Sequence, residues 1–317
     1  MIEVEHLTRY FGDTIAVENV TFRVEKGEIL GFLGPNAAGK TTTMRILTGF
    51  LPASRGTARV AGFDVFQNPL EVKKRIGYLP EHPPLYSEMT VYSYLDFIAK
   101  IKGIDSRYRS AKINIAIEKA GLDDRVHTIV KHLSKGYKQR LGIAQAIIHD
   151  PEVLILDEPT IGLDPKQIIE VRELIKSFAG THTVILSTHI LPEVSMTCER
   201  VVIIDKGRVV AEDRPENLTA KLKGSEQVTL VIGGPEQQVM ECLARVSGVI
   251  RVKIVARLES EKIAYLVDST LKVEVTKELA KAIVNNGWDL FELKKAEMSL
   301  EEIFLRLTTH EAEVSNS

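Results

Sequence analysis

The chain has 317 residues, 44% hydrophobic and 26% charged, enough apolar material for about two packed domains and too much for extended disorder. Lysine plus arginine total 41 against 43 acidic residues, and the net charge of -2 excludes a globally basic nucleic-acid binder, though not a local basic groove. Cys198 and Cys242 are the only cysteines, which excludes a disulfide framework and a cysteine zinc cluster. No apolar run reaches the roughly 18 residues of a membrane span. The start, Met1-Ile2-Glu3-Val4-Glu5-His6, is too polar for a signal peptide, so a cytosolic protein is expected.

In chain order, Ile2 to Leu7 and Ala16 to Val24 read as strands, followed by the short apolar strand Glu28 to Leu33. Gly34-Pro35-Asn36-Ala37-Ala38-Gly39-Lys40-Thr41-Thr42 comes next. It satisfies G-x-x-x-x-G-K-S/T between that strand and a helical pattern opening at Lys40. Phosphate oxygens need several donors converging on one small volume, and a tight loop of backbone N–H groups at a helix N-terminus supplies them. Lys40 is expected to reach the β- and γ-phosphates, and the Thr41 hydroxyl to ligate Mg²⁺. Thr57 to Val60 is a further strand, antiparallel with the first two.

Val153-Leu154-Ile155-Leu156-Asp157-Glu158 is an apolar strand ending in two acids, the pattern of a sheet edge where ligands bind. Asp157 is expected to hold Mg²⁺ and Glu158 to polarise the attacking water. A helix from Pro165 to Phe178 and strands at Thr183 to Ser187 and Val201 to Asp205 follow. Short apolar strands alternating with helices indicate an α/β domain with a mainly parallel, doubly covered sheet.

The pattern changes near residue 224. Up to Gly224 there are 30 basic and 28 acidic residues; beyond it there are 11 and 15. The tail reads as strand Val228 to Ile232, helix Glu236 to Val246, strands Val249 to Ala256 and Lys262 to Val267, helix Val273 to Asn286 and strand Trp288 to Lys294. That order is β-α-β-β-α-β. A last helix at Ser299 to Leu307 is expected to close it, with Trp288, Phe291 and Phe304 in its core.

Beside the phosphate loop and the two acids, five segments carry a resemblance to the ATP-binding subunit of an ABC transporter over residues 1 to 220. Leu133-Ser134-Lys135-Gly136-Tyr137-Lys138-Gln139-Arg140 is similar to the signature motif, and Gly162-Leu163-Asp164-Pro165 to the D-loop. His189 after Ser187-Thr188 resembles the switch histidine, Leu79-Pro80-Glu81 the Q-loop, and Phe11 before Gly12 the aromatic that stacks on adenine, with Tyr10 its rival. The implied fold is a P-loop NTPase (ABC ATPase) domain over 1–224 with a mixed sheet and a helical subdomain near 83–150, then a small α+β C-terminal domain over 225–317.

The resemblance implies ATP and Mg²⁺ as cofactors. Catalysis would fall to Glu158 as base, His189, Lys40 and Glu81. The nucleotide would lie on Phe11, residues Gly34 to Thr42, Ser134, Gly136 and Asp164, with the metal on Thr41, Asp157 and Glu81. It also implies that Ser134 and Gly136 of one chain cap the γ-phosphate held by Lys40 of the other, so a second ATP-binding subunit, a second copy or a paralogue, is needed, with a homodimer expected. An integral membrane permease at the cytoplasmic face is the other implied partner, near residues 83 to 101; no nucleic acid is expected.

Three motifs depart from the commonest forms: Ala37 stands for a glycine, Glu81 for a glutamine, and Lys135 with Tyr137 lie inside the signature. If position 37 needs positive φ, alanine costs about 1 kcal/mol. The tail resembles that of gliding-motility and drug- or sodium-export ATPases. The rival reading, an ABC-type ATPase acting on nucleic acid or ribosomes, lacks the long coiled-coil insertion or the second phosphate loop it would need. A GTPase is disfavoured by the absence of an N/T-K-x-D motif.

Overall fold

The computed structural model describes residues 1–222, 226–258, 262–270 and 275–296. Contacts divide the chain into two units that meet at Pro215/Glu216, nine residues ahead of the 224/225 boundary expected from charge and pattern. The difference lies in one helix. Its glycine-ended tail marks a boundary by sequence, but the division falls at its opening proline.

The first unit begins with β1 (Ile2–Phe11) and β2 (Thr14–Val24), then β3 (Ile29–Leu33) and α1 (Lys40–Leu47). β4 (Arg55–Val60), β5 (Phe63–Asp64), α2 (Pro69–Arg75) and β6 (Ile76–Leu79) follow. Three helices come next: α3 (Val91–Ile101), α4 (Ser106–Lys119) and α5 (Lys135–Ile147). The unit closes with β7 (Val153–Asp157), α6 (Pro165–Lys176), β8 (Thr183–Thr188), α7 (Leu191–Thr197), β9 (Arg200–Asp205) and β10 (Arg208–Asp213).

The central six-stranded sheet has the order β10-β9-β3-β8-β7-β6, parallel throughout except for β10. Every residue of β3, β7 and β8 is buried. That is why these strands are unbroken apolar runs: both faces are covered, so no alternation is selected. A second sheet, β2-β1-β4-β5, is antiparallel. One apolar cluster joins both sheets through α1, with Phe22 of β2, Met44 of α1 and Phe32 and Ile155 of the central sheet among its members. The Phe22 and Phe32 rings lie 5.3 Å apart.

The helices begin where polar side chains cap them. Thr90 caps α3 by accepting from the Ser93 N–H at 3.2 Å, and Asp105 caps α4 by accepting from Arg107 N–H at 2.9 Å. α3 turns Val91, Tyr94, Leu95 and Ala99 into the core.

The second unit contains β11 (Glu226–Gly233), α9 (Glu236–Ala244), β12 (Val249–Arg257), β13 (Lys262–Ser269), α10 (Val275–Asn285) and β14 (Asp289–Ala296), preceded by α8 (Pro215–Leu222). The antiparallel sheet has the order β12-β13-β11-β14. Leu230, Ile232, Val239, Leu243, Tyr265 and Leu279 form its core, with Trp288 packed against it. Phe291 is not in that core; it is 52% exposed. The register explains this: Val231 pairs with Glu292 and Ile232 with Leu290, so Phe291 is the extra residue of a bulge and loses its inward position. Its ring instead faces the Lys262 ammonium, 4.0 Å from the centroid. The expected helix at Ser299 to Leu307, with Phe304, lies outside the described residues.

Candidate functional site

The phosphate-type loop runs from the end of β3 to the start of α1, and two of its glycines are obligatory. A Cβ on Gly34 would sit 2.3 Å from the Ile204 carbonyl oxygen. Gly39 has φ +104°, and a Cβ there would meet the Ala16 carbonyl at 2.5 Å. Ala37 has φ 65°, so the departure from glycine is strained, by about 1 kcal/mol. The first N–H groups of α1 have no carbonyl partner within the helix. No acidic side chain occupies that first turn.

Lys40, the first residue of α1, folds back over the loop. Its ammonium donates to the carbonyls of Gly34 at 2.8 Å and Pro35 at 3.1 Å, and lies 3.4 Å from the Glu158 carboxylate. Glu158 follows the last residue of β7 with φ 49°. Its N–H donates to the Ser187 carbonyl at 3.0 Å and the Ser187 hydroxyl at 3.2 Å, which fixes the turn. His189 Nδ1 lies 2.9 and 3.0 Å from the two Glu158 oxygens, where a protonated nitrogen donates to them.

Asp157 ends β7 fully buried. Its Oδ1 accepts from the hydroxyls of Ser187 and, at 3.4 Å, Thr41. Burial pushes its carboxyl above the usual range, and the Glu158 and Glu81 charges add to that; the two hydroxyl bonds oppose it. Its Oδ2 is buried with no hydrogen-bond partner. A buried carboxylate oxygen left unpaired beside a threonine hydroxyl is a site that lacks positive charge. The donor set is all oxygen, which fits Mg²⁺. Among the described residues no three acidic or histidine side chains converge on one point. The chain therefore provides a partial shell, of the kind Mg²⁺ completes with water and phosphate oxygens.

Phe11, Ala37, Lys40, Thr41, Glu81, Glu158 and His189 line one open cleft of about 620 Å³, together with Asn36, Gly39 and Thr42. Phe11, rather than Tyr10, borders it, 45% exposed. The Arg9 guanidinium covers one face of the Phe11 ring at 4.8 Å, while Tyr10 sits under Arg55.

Ser134, Gly136 and Asp164 do not line this cleft. They form a separate patch where two helices start side by side. Ser134 caps α5, accepting from the Tyr137 N–H at 3.4 Å, and Asp164 caps α6, accepting from the Gln167 N–H at 2.9 Å. Gly136 packs so closely on Gln167 that a Cβ would lie 2.6 Å from its amide carbon. A Cβ on Gly162 would strike the Lys135 ammonium at 2.0 Å, so the signature lysine rests on the D-loop glycine.

Sequence reasoning missed two residues. Ser187 pins both acids, because β7 and β8 pair Asp157 with Ser187. Glu193 is buried behind the switch turn and accepts from the Thr188 hydroxyl at 3.0 Å; burial raises its carboxyl. No local motif marks either one.

The family model described as ABC transporter matches residues 17–161. The linearmycin resistance ATP-binding protein LnrL of Bacillus subtilis (strain 168) is 33% identical over 97% of this chain and 98% of its own. The bacitracin transport ATP-binding protein BcrA of Bacillus licheniformis is 34% identical, over 97% of both chains. A solved structure of an ATP-binding subunit of an ABC transporter superposes with a TM-score of 0.64 at 31% identity, over 70% of this chain and 92% of that one.

Proposed function

The chain belongs to the family of ABC transporter ATP-binding proteins, and from that premise we propose how its cleft works. The protein is an ATP-binding, ATP-hydrolysing subunit of an ABC transporter. Subunits of this kind pair with a second ATP-binding subunit and act with a membrane permease.

In our reading the nucleotide base stacks on the free face of Phe11, and its phosphates enter the loop from Asn36 to Thr42. Lys40 and the N-terminal N–H groups of α1 neutralise the β- and γ-phosphates. Thr41 and Asp157 would hold Mg²⁺, with Glu81 lining the same cleft, and the ion would supply charge neutralisation of the phosphate oxygens. Glu158 takes the proton of the attacking water. His189, bonded to both oxygens of that carboxylate, fixes its direction and carries positive charge toward the γ-phosphate when protonated.

Ser134, Gly136 and Asp164 complete the site from a second copy, so the working form is a homodimer. Their grouping on two helix starts outside the cleft supports this. Among the described residues no helix is long and apolar enough to cross a membrane. Membership of the family supports a subunit docked at the cytoplasmic face of its permease. The apolar groove between α2, the Pro80 turn and the end of α3 receives that permease. Likeness along the whole chain to a linearmycin resistance and a bacitracin transport protein supports cargo of that drug type.

The observation that carries this reading is the junction of Lys40, Glu158 and His189 at the loop mouth. Glu158→Gln keeps shape and hydrogen bonding but removes the base. It should bind ATP, lose at least about a hundredfold in turnover and accumulate as an ATP-bound dimer in gel filtration. Brisk hydrolysis by that variant would refute the assignment of the base.

A further inference from the structure

The permease groove has a chemistry of its own. It encloses about 930 Å³. Phe50 and Leu70, each 72% exposed, and Ile101, 65% exposed, all line it. Large apolar side chains left in water and gathered along one groove mark a contact surface for an amphipathic helix.

The polar part of the lining is one-sided. Arg45, Lys73, Lys74 and Lys102 contribute cations, and no lining residue is acidic. Lys74 is already paired, 2.7 Å from Glu71. Lys102 is different. Its ammonium makes three long contacts, each 3.3 Å, to the carbonyls of Lys73 and Ile76 and to His149 Nε2. No carboxylate is among them. Burial pushes the Lys102 ammonium down to about 8 and the His149 imidazole to about 4.

The bonding of this cluster is also self-contradictory. His149 Nε2 lies 3.0 Å from the Ile76 carbonyl and 3.3 Å from the Lys102 ammonium. One nitrogen cannot donate to the first and accept from the second. The other ring nitrogen, Nδ1, is buried with no partner. The groove thus holds a half-buried cation that meets only carbonyls and an imidazole at 3.3 Å and no carboxylate, beside a ring nitrogen with no partner.

We propose that the segment of the membrane subunit seated in this groove is an amphipathic helix whose apolar face carries one carboxylate, paired with Lys102. This rests on the reading of the groove as the permease site and adds what the permease must present there. Phe50, Leu70 and Ile101 supply adhesion. The ion pair supplies register and partner choice, because a carboxylate at another position of the helix would leave Lys102 uncompensated.

The test measures binding of the full chain to its cognate membrane subunit in nanodiscs, with thermal unfolding as the check on folding. Lys102→Gln should weaken binding about tenfold or more, Lys102→Glu further, and Lys102→Arg little. Replacing the helix carboxylate of the membrane subunit by lysine should restore binding to Lys102→Glu. Unchanged binding by Lys102→Gln and Lys102→Glu, while Leu70→Arg abolishes it, would overturn the carboxylate and leave the groove standing. Normal binding by Leu70→Arg as well would bring down the groove reading itself. Lys102-dependent binding of the chain to anionic phospholipid vesicles without the membrane subunit would make a lipid headgroup the occupant and overturn the proposal.

Discussion

Asp157 places a full carboxylate in a fully buried position with one oxygen unpaired. Such a group is held for function against the interest of the fold. Its raised carboxyl pKa sets the sign of a pH effect. In the native state the charged form is disfavoured, so stability falls as pH rises from the ordinary carboxylate range toward the elevated native value. Asp157→Asn should flatten that slope and stabilise the protein near neutral pH, as read by thermal unfolding across pH in the absence of metal. The same change should remove Mg²⁺-dependent ATP hydrolysis. A variant less stable than the parent at neutral pH would contradict the burial argument.

At the scale of single elements, α5 has two tasks resting on one hydroxyl. Ser134 caps the helix by accepting from the Tyr137 N–H, and we assign the same residue to the γ-phosphate of a second copy. Ser134→Ala should cost about 1 kcal/mol of stability. In a Glu158→Gln background it should also abolish ATP-driven dimerisation in gel filtration. A purely structural cap would give only the first effect.

What the sequence disclosed divides along the same line. The phosphate loop and the acids at the end of β7 were legible because their chemistry is written in consecutive residues, and a covalent neighbour fixes its own spacing. Ser187 was not, since its role depends on β7 and β8 pairing in a particular register across separate segments. β6 and β10 were also missed. Ile76–Leu79 is four residues long and contains a glycine, and Arg208–Asp213 is an edge strand with charged ends, so neither shows the apolar run of a central strand. Phe291 was assigned to the core from its type, and a one-residue bulge reversed its direction.

The whole molecule consists of two units, each with its own apolar cluster. The residues assigned to nucleotide all fall in the first. Calorimetry of the full chain should therefore resolve two unfolding transitions. ATP with Mg²⁺ at about a hundred times its Kd should stabilise the first by about 2.7 kcal/mol and leave the second in place. A single transition that moves as one body with nucleotide would show the two cores to be energetically fused.

The Arg9 guanidinium already occupies one side of the Phe11 ring, and this has a consequence for selectivity. A base resting on the remaining side is gripped by its flat surface, and the neighbouring wall at Ala16 offers no side-chain hydrogen-bonding group to its rim. Stacking is indifferent to the exocyclic groups that separate one purine from another. GTP should then compete with ATP at comparable concentrations in a displacement assay. If GTP does compete in this way, the triphosphate that the subunit uses would follow its abundance more than discrimination by the pocket.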